Sequence, residues 1–294
     1  MSNTKKTTKT TVIPMLYDSR EHLSAIARLE EECRRLDPVP YRAGIEHLAK
    51  ENGDRGVLCF RDNELIGLLS WHTPDGETAK VDARVHPHYR RQGVFRSLLR
   101  HAAEEVAALG IRQFSFRVPK LSDAGIAAAN ALGAAYDRTE FAMTLRRNSM
   151  DSRVDSDIRL IPEQPEDDEF MIDCMVQAFG DDENWTRDYL ALTRREPSRT
   201  TYIAWADGQR VGMIRVNAAG ERIAAIHDFC ILPAYQGRKL GTQALQAVVS
   251  LLLADSFADI RLGVVTDNER ALSLYLKSGF EVTAENRYYL GKLS

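Results

Sequence analysis

The chain has 294 residues, of which 44% are hydrophobic and 28% charged, and its net charge is −3. That is apolar material for two ordinary domains, and the near-neutral balance gives no basis for nucleic-acid binding. Cys33, Cys59, Cys174 and Cys230 lie apart with no CxxC spacing, so they read as reduced thiols of a cytoplasmic protein, and no apolar run is long enough to cross a bilayer.

Residues 1–11, MSNTKKTTKTT, are basic and Thr-rich with no apolar run behind them, which predicts a disordered tail. From Val12 a short strand leads into a helix over REHLSAIARLEEECRRL. RGVLCF and ELIGLLSWH then read as strands joined by the turn RDN, and AKVDARVHP follows. A polar loop, PHYRRQGVFRSLL, begins at Pro87 and opens a helix led by Leu98, Leu99, Ala102, Val106 and Leu109, after which RQFSFRV reads as a strand.

The second half repeats this order. DIRLIP, the helix through FMIDCMVQAF, the hairpin TYIAWADGQRVGMIRV with its Asp-Gly turn, and RIAAIHDFCILP precede a second loop, PAYQGRKLGTQAL, at Pro233. The loops are offset by 146 residues (87 to 233), and the offset holds from there to Gly133 and Gly279. RRNSMDSRVDSD between the halves is polar and aperiodic. The expected organisation is therefore a domain over 12–147, a linker over 148–156 and a second domain over 157–294.

A polar loop between a strand and a helix offers free backbone N–H groups and the positive end of the helix dipole, which suits a phosphate or pyrophosphate. No GK[ST] or GxGxxG is present, so nucleoside triphosphate and dinucleotide sites are not indicated. His86 and His88 form an HxH pair with no third ligand close in sequence, and no metal is expected.

Both loops resemble that of the GCN5-related N-acetyltransferase (GNAT) family, Arg/Gln-x-x-Gly-x-Gly/Ala. Arg90, Arg91, Gln92 and Gly93 match in the first copy, which departs at Phe95. Gln236, Gly237, Arg238, Leu240 and Gly241 match in the second, which departs at Lys239. The resemblance implies two tandem α/β domains, each with a mixed, mostly antiparallel sheet flanked by helices, and acetyl-CoA as co-substrate. It implies that these loop residues and Thr242 wrap the coenzyme A pyrophosphate, and that the backbone of Cys230, Ile231 and Leu232 meets the thioester and pantetheine. Asn268, Tyr275, Gly279 and Phe280 match the family's closing segment, whereas the first half has Ser122 and Ala129 opposite Asn268 and Tyr275.

A phenol can protonate the departing thiolate and alanine cannot, so the implied general acid is Tyr275 and the implied catalytic half is the second. His227 or Asp228 could supply a base; they alternate faces on one strand, so only one can point into the cleft. The expected activity is acetyl transfer to a primary amine of a small molecule or peptide. Lys239, at a glycine position, keeps open a non-catalytic acyl-CoA-binding regulatory module. Finally, Glu163, Glu166, Asp167, Asp168, Glu169, Asp173, Asp181, Asp182 and Glu183 occur with no intervening Lys or Arg, which predicts a cationic acceptor.

Overall fold

Period-2 and period-3.6 apolar patterns alternate along the chain, and in a computed structural model they become strands and helices where that alternation puts them. The structure describes residues 10–37, 39, 45–51, 53–73, 76–146, 157–194 and 196–292. The segment read as a linker lies outside these residues, as does the tail up to residue 9, while Thr10 and Thr11 belong to the first strand.

The first half runs β1 (Thr10–Pro14), α1 (Arg20–Leu36), α2 (Ile45–Leu48), β2 (Arg55–Arg61), β3 (Glu64–His72), β4 (Thr78–Val85), α3 (Val94–Ala108), β5 (Gln113–Pro119), α4 (Asp123–Ala131) and β6 (Ala135–Leu145). The second runs β7 (Ile158–Pro162), α5 (Asp168–Phe179), α6 (Glu183–Thr193), β8 (Arg199–Ala206), β9 (Gln209–Gly220), β10 (Ile223–Ile231), α7 (Leu240–Ala254), β11 (Asp259–Val265), α8 (Glu269–Lys277) and β12 (Phe280–Lys292). Two compact units result, but they do not divide where the repeat does. One is residues 1–139 with 286–294, and the other is 140–285.

In the first unit β1 to β5 form a sheet in chain order, and the far side of β5 pairs antiparallel with Asn286–Lys292 of β12. Tyr289 of that segment is buried in the cluster built on Leu98, Ala102 and Val106 of α3 and Ile66, Leu69 and Trp71 of β3. Ile26 and Leu29 of α1 cover the other face with Leu58 and Leu68. In the second unit β7 to β10 and β11 are closed by Glu140–Thr144 of β6, antiparallel to β11. Met143 of that segment joins Leu245, Val248, Val249 and Leu252 of α7, while α5 and α6 form a separate cluster on Ile203 and Met213.

Both hairpins turn on two left-handed residues, Asp62-Asn63 and Asp207-Gly208, which matches the right-handed twist of the flanking strands. In each unit four residues of the central strand pair in parallel with the strand after the loop helix. Thr78–Val81 pair with Gln113–Phe116, and Ile223–Ile226 with Asp259–Leu262. Beyond these residues the two strands have no further partners in each other, which opens a splay in front of the loop.

Because β12 completes the first unit, Tyr289→Ala should loosen that unit although it lies near the far end of the chain. A buried aromatic cut to alanine costs about 3 kcal/mol, so amides of β5 should exchange roughly 10²-fold faster while those of β8 and β9 do not change. Equal protection of β5 in the variant and the parent would show that the C-terminal segment is dispensable to this sheet.

Candidate active site

Each loop begins with a proline at the first position of a 3₁₀ turn (Pro87, Pro233) and then needs two left-handed residues to reach its helix. Those residues are Arg91 and Gly93 in the first copy, Gly237 and Lys239 in the second. Each loop therefore spends one glycine and carries one strained side chain, at opposite ends. The third glycine position obeys a different rule. A Cβ on Gly241 would lie 3.1 Å from the Leu274 side chain of α8. The first unit has Phe95 there, and Ala128 where α8 has Leu274, so bulk on one helix is traded against bulk on the other.

Neither α3 nor α7 has a side-chain cap, whereas Ser19, Ser122, Asp182 and Asn268 cap α1, α4, α6 and α8. The first backbone N–H groups of both loop helices are thus left for an anion. Arg91, Gly93, Gly237 and Lys239 are exposed at these turns. Several other loop residues are committed to the scaffold. Arg90 pairs with Asp37 at 2.7 Å and donates to the Val85 carbonyl. Gln92 donates to the His88 carbonyl and accepts from Arg61. Gln236 donates to the Ile231 carbonyl and accepts from Arg270, and Arg238 meets Asp207 at 3.2 Å. Leu240 is buried in the core, and Thr242 is half-buried in the first turn of α7.

In the first unit the splay opens into a cavity of about 900 Å³. Its walls are Val81–Val85 of β4 apart from Asp82, the loop at Arg90 and Arg91, Phe116–Pro119 of β5, and a row of alanines on α4 that includes Ala128 and Ala129. No hydroxyl or imidazole stands at the Ala129 position to serve as an acid.

In the second unit Tyr275 of α8 occupies that position. Its ring is buried against Phe280, with centroids 6.2 Å apart, and its hydroxyl is bonded to no described residue. That oxygen is not one of the side-chain atoms sealed from solvent. Burial pushes its pKa up to about 12, so it enters any reaction at neutral pH as an O–H donor. Asn268, four residues before α8's Leu272, uses its Oδ1 to accept the Ala271 N–H and cap the helix.

The feature that sets the second unit apart is a bulge in β10. β9 and β10 pair in register from Ala224 opposite Ala218 to His227 opposite Arg215, then shift before Cys230 opposite Met213. Asp228 lies in the bulge with φ 45°, left-handed for a residue with a side chain. β3 and β4 run from His72 and Lys80 to Gly67 and Val85 with no such shift. The signal was present in the sequence. Asp207 follows Asp62 by one residue fewer than Gly237 follows Arg91, so the second half has one residue more between hairpin turn and loop. Strand pairing places that extra residue in the bulge.

Around the bulge the Asp228 carboxylate accepts from Tyr189 Oη at 3.0 Å and from Arg215 at 3.1 Å. Both bonds fall on Oδ2. His227 is paired with Arg215 and so shares its face of the sheet, against the alternation expected of a regular strand; burial drops its pKa to about 4, which keeps it neutral, and its Nε2 is sealed without a partner among the described residues. Cys230 is buried against Cys174 of α5, whose thiol is held strongly protonated by its hydrogen bond with Cys230 and then by burial. Ile231 and Leu232 close the strand, with the Leu232 N–H already bonded to the Val211 carbonyl.

The acidic run is not a bare rim. Arg194 meets Glu163 and Asp168, Arg210 meets Asp167 at 3.0 Å, and Arg187 bridges Glu169 and Glu183. Asp182 caps α6 through the Trp185 N–H. Asp181 differs: burial first, and then the charge of Asp228, hold its carboxyl above the usual range. The rings of the HxH pair meet edge to face, with centroids 5.1 Å apart. His86, Glu32 and Glu64 bring ligand atoms within 4.8 Å of one another, but His86 Nδ1 accepts the His88 N–H, which puts the ring proton on Nε2 toward Glu32. That tautomer has no lone pair for a cation between the two carboxylates.

The profile of the Acetyltransferase (GNAT) family matches residues 21–133 and again 166–280, so the chain belongs to the GNAT family and is an N-acetyltransferase with two GNAT domains in tandem. It is 26% identical over 272 residues to a mycothiol acetyltransferase of Thermomonospora curvata, covering 88% of this chain and 90% of that one. Its fold is similar to that of a GCN5-related N-acetyltransferase from Sphaerobacter thermophilus (TM-score 0.76, 17% identity, 97% and 96% of the chains). It is also similar to a tandem GNAT protein from the clavulanic acid biosynthesis pathway (TM-score 0.70, 19% identity, 97% and 99%).

His227 also fixes a stability signature. Its pKa is about 4 when folded against an ordinary value of 6.5, so the unfolded chain binds the extra proton between those limits. Stability should be intact above pH 6.5 and fall as the pH drops towards 4, by on the order of 3 kcal/mol. Urea unfolding of His227→Gln should lose this part of the acid sensitivity. An unchanged slope would place the titration elsewhere.

Proposed function

We propose that the second unit transfers an acetyl group from acetyl-CoA to a primary amine, with Tyr275 protonating the departing thiolate. The observation that carries this reading is the asymmetry at one position of α4 and α8. The hydroxyl of Tyr275 is bonded to no described residue and is not sealed from solvent, and Ala129 stands in its place in the first unit. The uncapped α7 supplies N–H donors for the pyrophosphate, and Cys230 and Ile231 follow the bulge where the thioester would lie. We read Asp228, held through Oδ2 by Tyr189 and Arg215, as a positioned residue rather than the base, and a sealed His227 with a low pKa is a weak base, so in this reading the amine is taken up in its neutral form.

Relatives named for mycothiol favour a small-molecule acceptor over a peptide. The cationic preference expected from the acidic run is narrowed, since Arg187, Arg194 and Arg210 answer Glu163, Asp167, Asp168, Glu169 and Glu183, and Asp181 is the member that lies in the field of Asp228 at the bulge. The first unit supports the second reading, a non-catalytic acyl-CoA site, through its cavity and the uncapped α3. Both roles fit one chain: chemistry in one unit, retained binding in the other.

Tyr275→Phe should bind acetyl-CoA as the parent does and lose roughly 10²–10⁴ in kcat, the size of a missing general acid. Thiol release across a panel of small amines measures it, and an undiminished chemical step would remove Tyr275 from the mechanism. Lys239→Gly should relieve the left-handed strain, by about 1 kcal/mol, with acetyl-CoA affinity retained. Lys239→Glu sets an anion beside the pyrophosphate and should weaken binding by about 1–3 kcal/mol. Equal affinities of the two variants at low salt would mean that this loop does not hold the phosphates.

A further inference from the structure

We infer that Tyr189 and Arg215 are positioning residues which hold the β10 bulge in its working shape through Asp228, an inference that rests on the catalytic reading of the second unit. Asp228 is left-handed, a conformation that disfavours any residue with a Cβ, so something must hold it there. The structure shows a closed ring of hydrogen bonds doing so. Tyr189 Oη and Arg215 both donate to the Asp228 carboxylate. Arg215 donates its other terminal nitrogen to Thr193 Oγ1 at 2.8 Å, and Thr193 donates to the Tyr189 carbonyl at 2.7 Å.

The ring joins α6, β9 and β10, and it is braced from outside. Trp185 stacks on Tyr189 with centroids 5.1 Å apart and planes 6° from parallel, and Arg199 donates to Tyr189 Oη at 3.2 Å. Arg215 is 1% exposed and lies 5.3 Å from the centre of the Tyr189 ring. A buried guanidinium is costly unless it is paired, so it is anchored as firmly to the carboxylate as the carboxylate is to it. In the first unit β4 pairs with β3 without a bulge, and its Asp82 pairs instead with Arg117 of β5. Bulge and ring occur together. The backbone of Asp228, Phe229 and Cys230 is aimed by the bulge, so whatever fixes its φ fixes where those amides point.

The test is a double-mutant cycle between Tyr189→Phe, which removes one oxygen, and Asp228→Ala. Tyr189→Phe should lower kcat about 10–100-fold, as a small misplacement of reacting groups does, with KM for acetyl-CoA little changed. In the Asp228→Ala background the same change should have almost no effect, because the bond it removes is already gone. Asp228→Asn, which keeps an acceptor and tolerates the left-handed region, should recover part of the loss of Asp228→Ala. Additive effects, or an inactive Asp228→Asn beside a Tyr189→Phe equal to the parent, would overturn the inference and return Asp228 to the role of a base. Hydrogen exchange separates this failure from failure of the catalytic reading. If the parent transfers acetyl to no amine, faster exchange at residues 228–231 in Tyr189→Phe would still establish the ring, and unchanged exchange would refute it.

Discussion

The Arg215–Asp228 pair is the interaction that anchors the second unit's distinct strand geometry at the bulge. A buried guanidinium on β9 and a left-handed carboxylate residue on β10 hold each other in positions that neither would occupy alone. Removing one partner of such a pair leaves an uncompensated charge, at roughly 3–5 kcal/mol, more than the 1–2 kcal/mol cost of the left-handed backbone. The ordering of these magnitudes explains why a side chain other than glycine is tolerated in the bulge. It also explains why Asp228, attractive as a base by position, is occupied with architecture.

The two halves show one scaffold carried to different ends. In the second unit Gly241 on the loop helix faces Leu274 of α8, next to the buried Tyr275. Phe95 with Ala128 and Ala129 moves the bulk to the loop helix and leaves the α4 side open and apolar. Where α8 carries Leu274 and Tyr275, α4 carries the methyl groups of Ala128 and Ala129, and these line the first unit's cavity. The left-handed positions in the loops were kept in both halves, since the turn from strand to helix needs them whichever residue supplies them.

The chain also crosses between its units along β6 and β12, so that each sheet is closed by residues from the other half of the sequence. Tyr289 and Met143 enter cores that otherwise belong to the opposite repeat. A boundary drawn between the repeats follows descent of the sequence, while cohesion follows the strands, and the two need not coincide.

By itself the sequence determined the elements and the class. The 3.6-period runs became α1, α3 and α7, the Asp-Gly turn became a left-handed hairpin turn, and the duplicated loop with Asn268, Tyr275 and Gly279-Phe280 pointed to a tandem acetyltransferase. These are local signals, set by neighbours within a few residues. It could not decide where charges and strand ends would go. The acidic run looked bare because its partners Arg187, Arg194 and Arg210 lie beyond it in the chain, and pairing depends on distance in space. The bulge was legible only as a change of one in the repeat offset, whose location strand pairing alone could settle. The roles of Asp228 and His227 depended on burial and on Arg215 and Tyr189 across the sheet. The closing strands went to opposite units because strand partners are chosen by the edges available in the folded sheet, which no local pattern records.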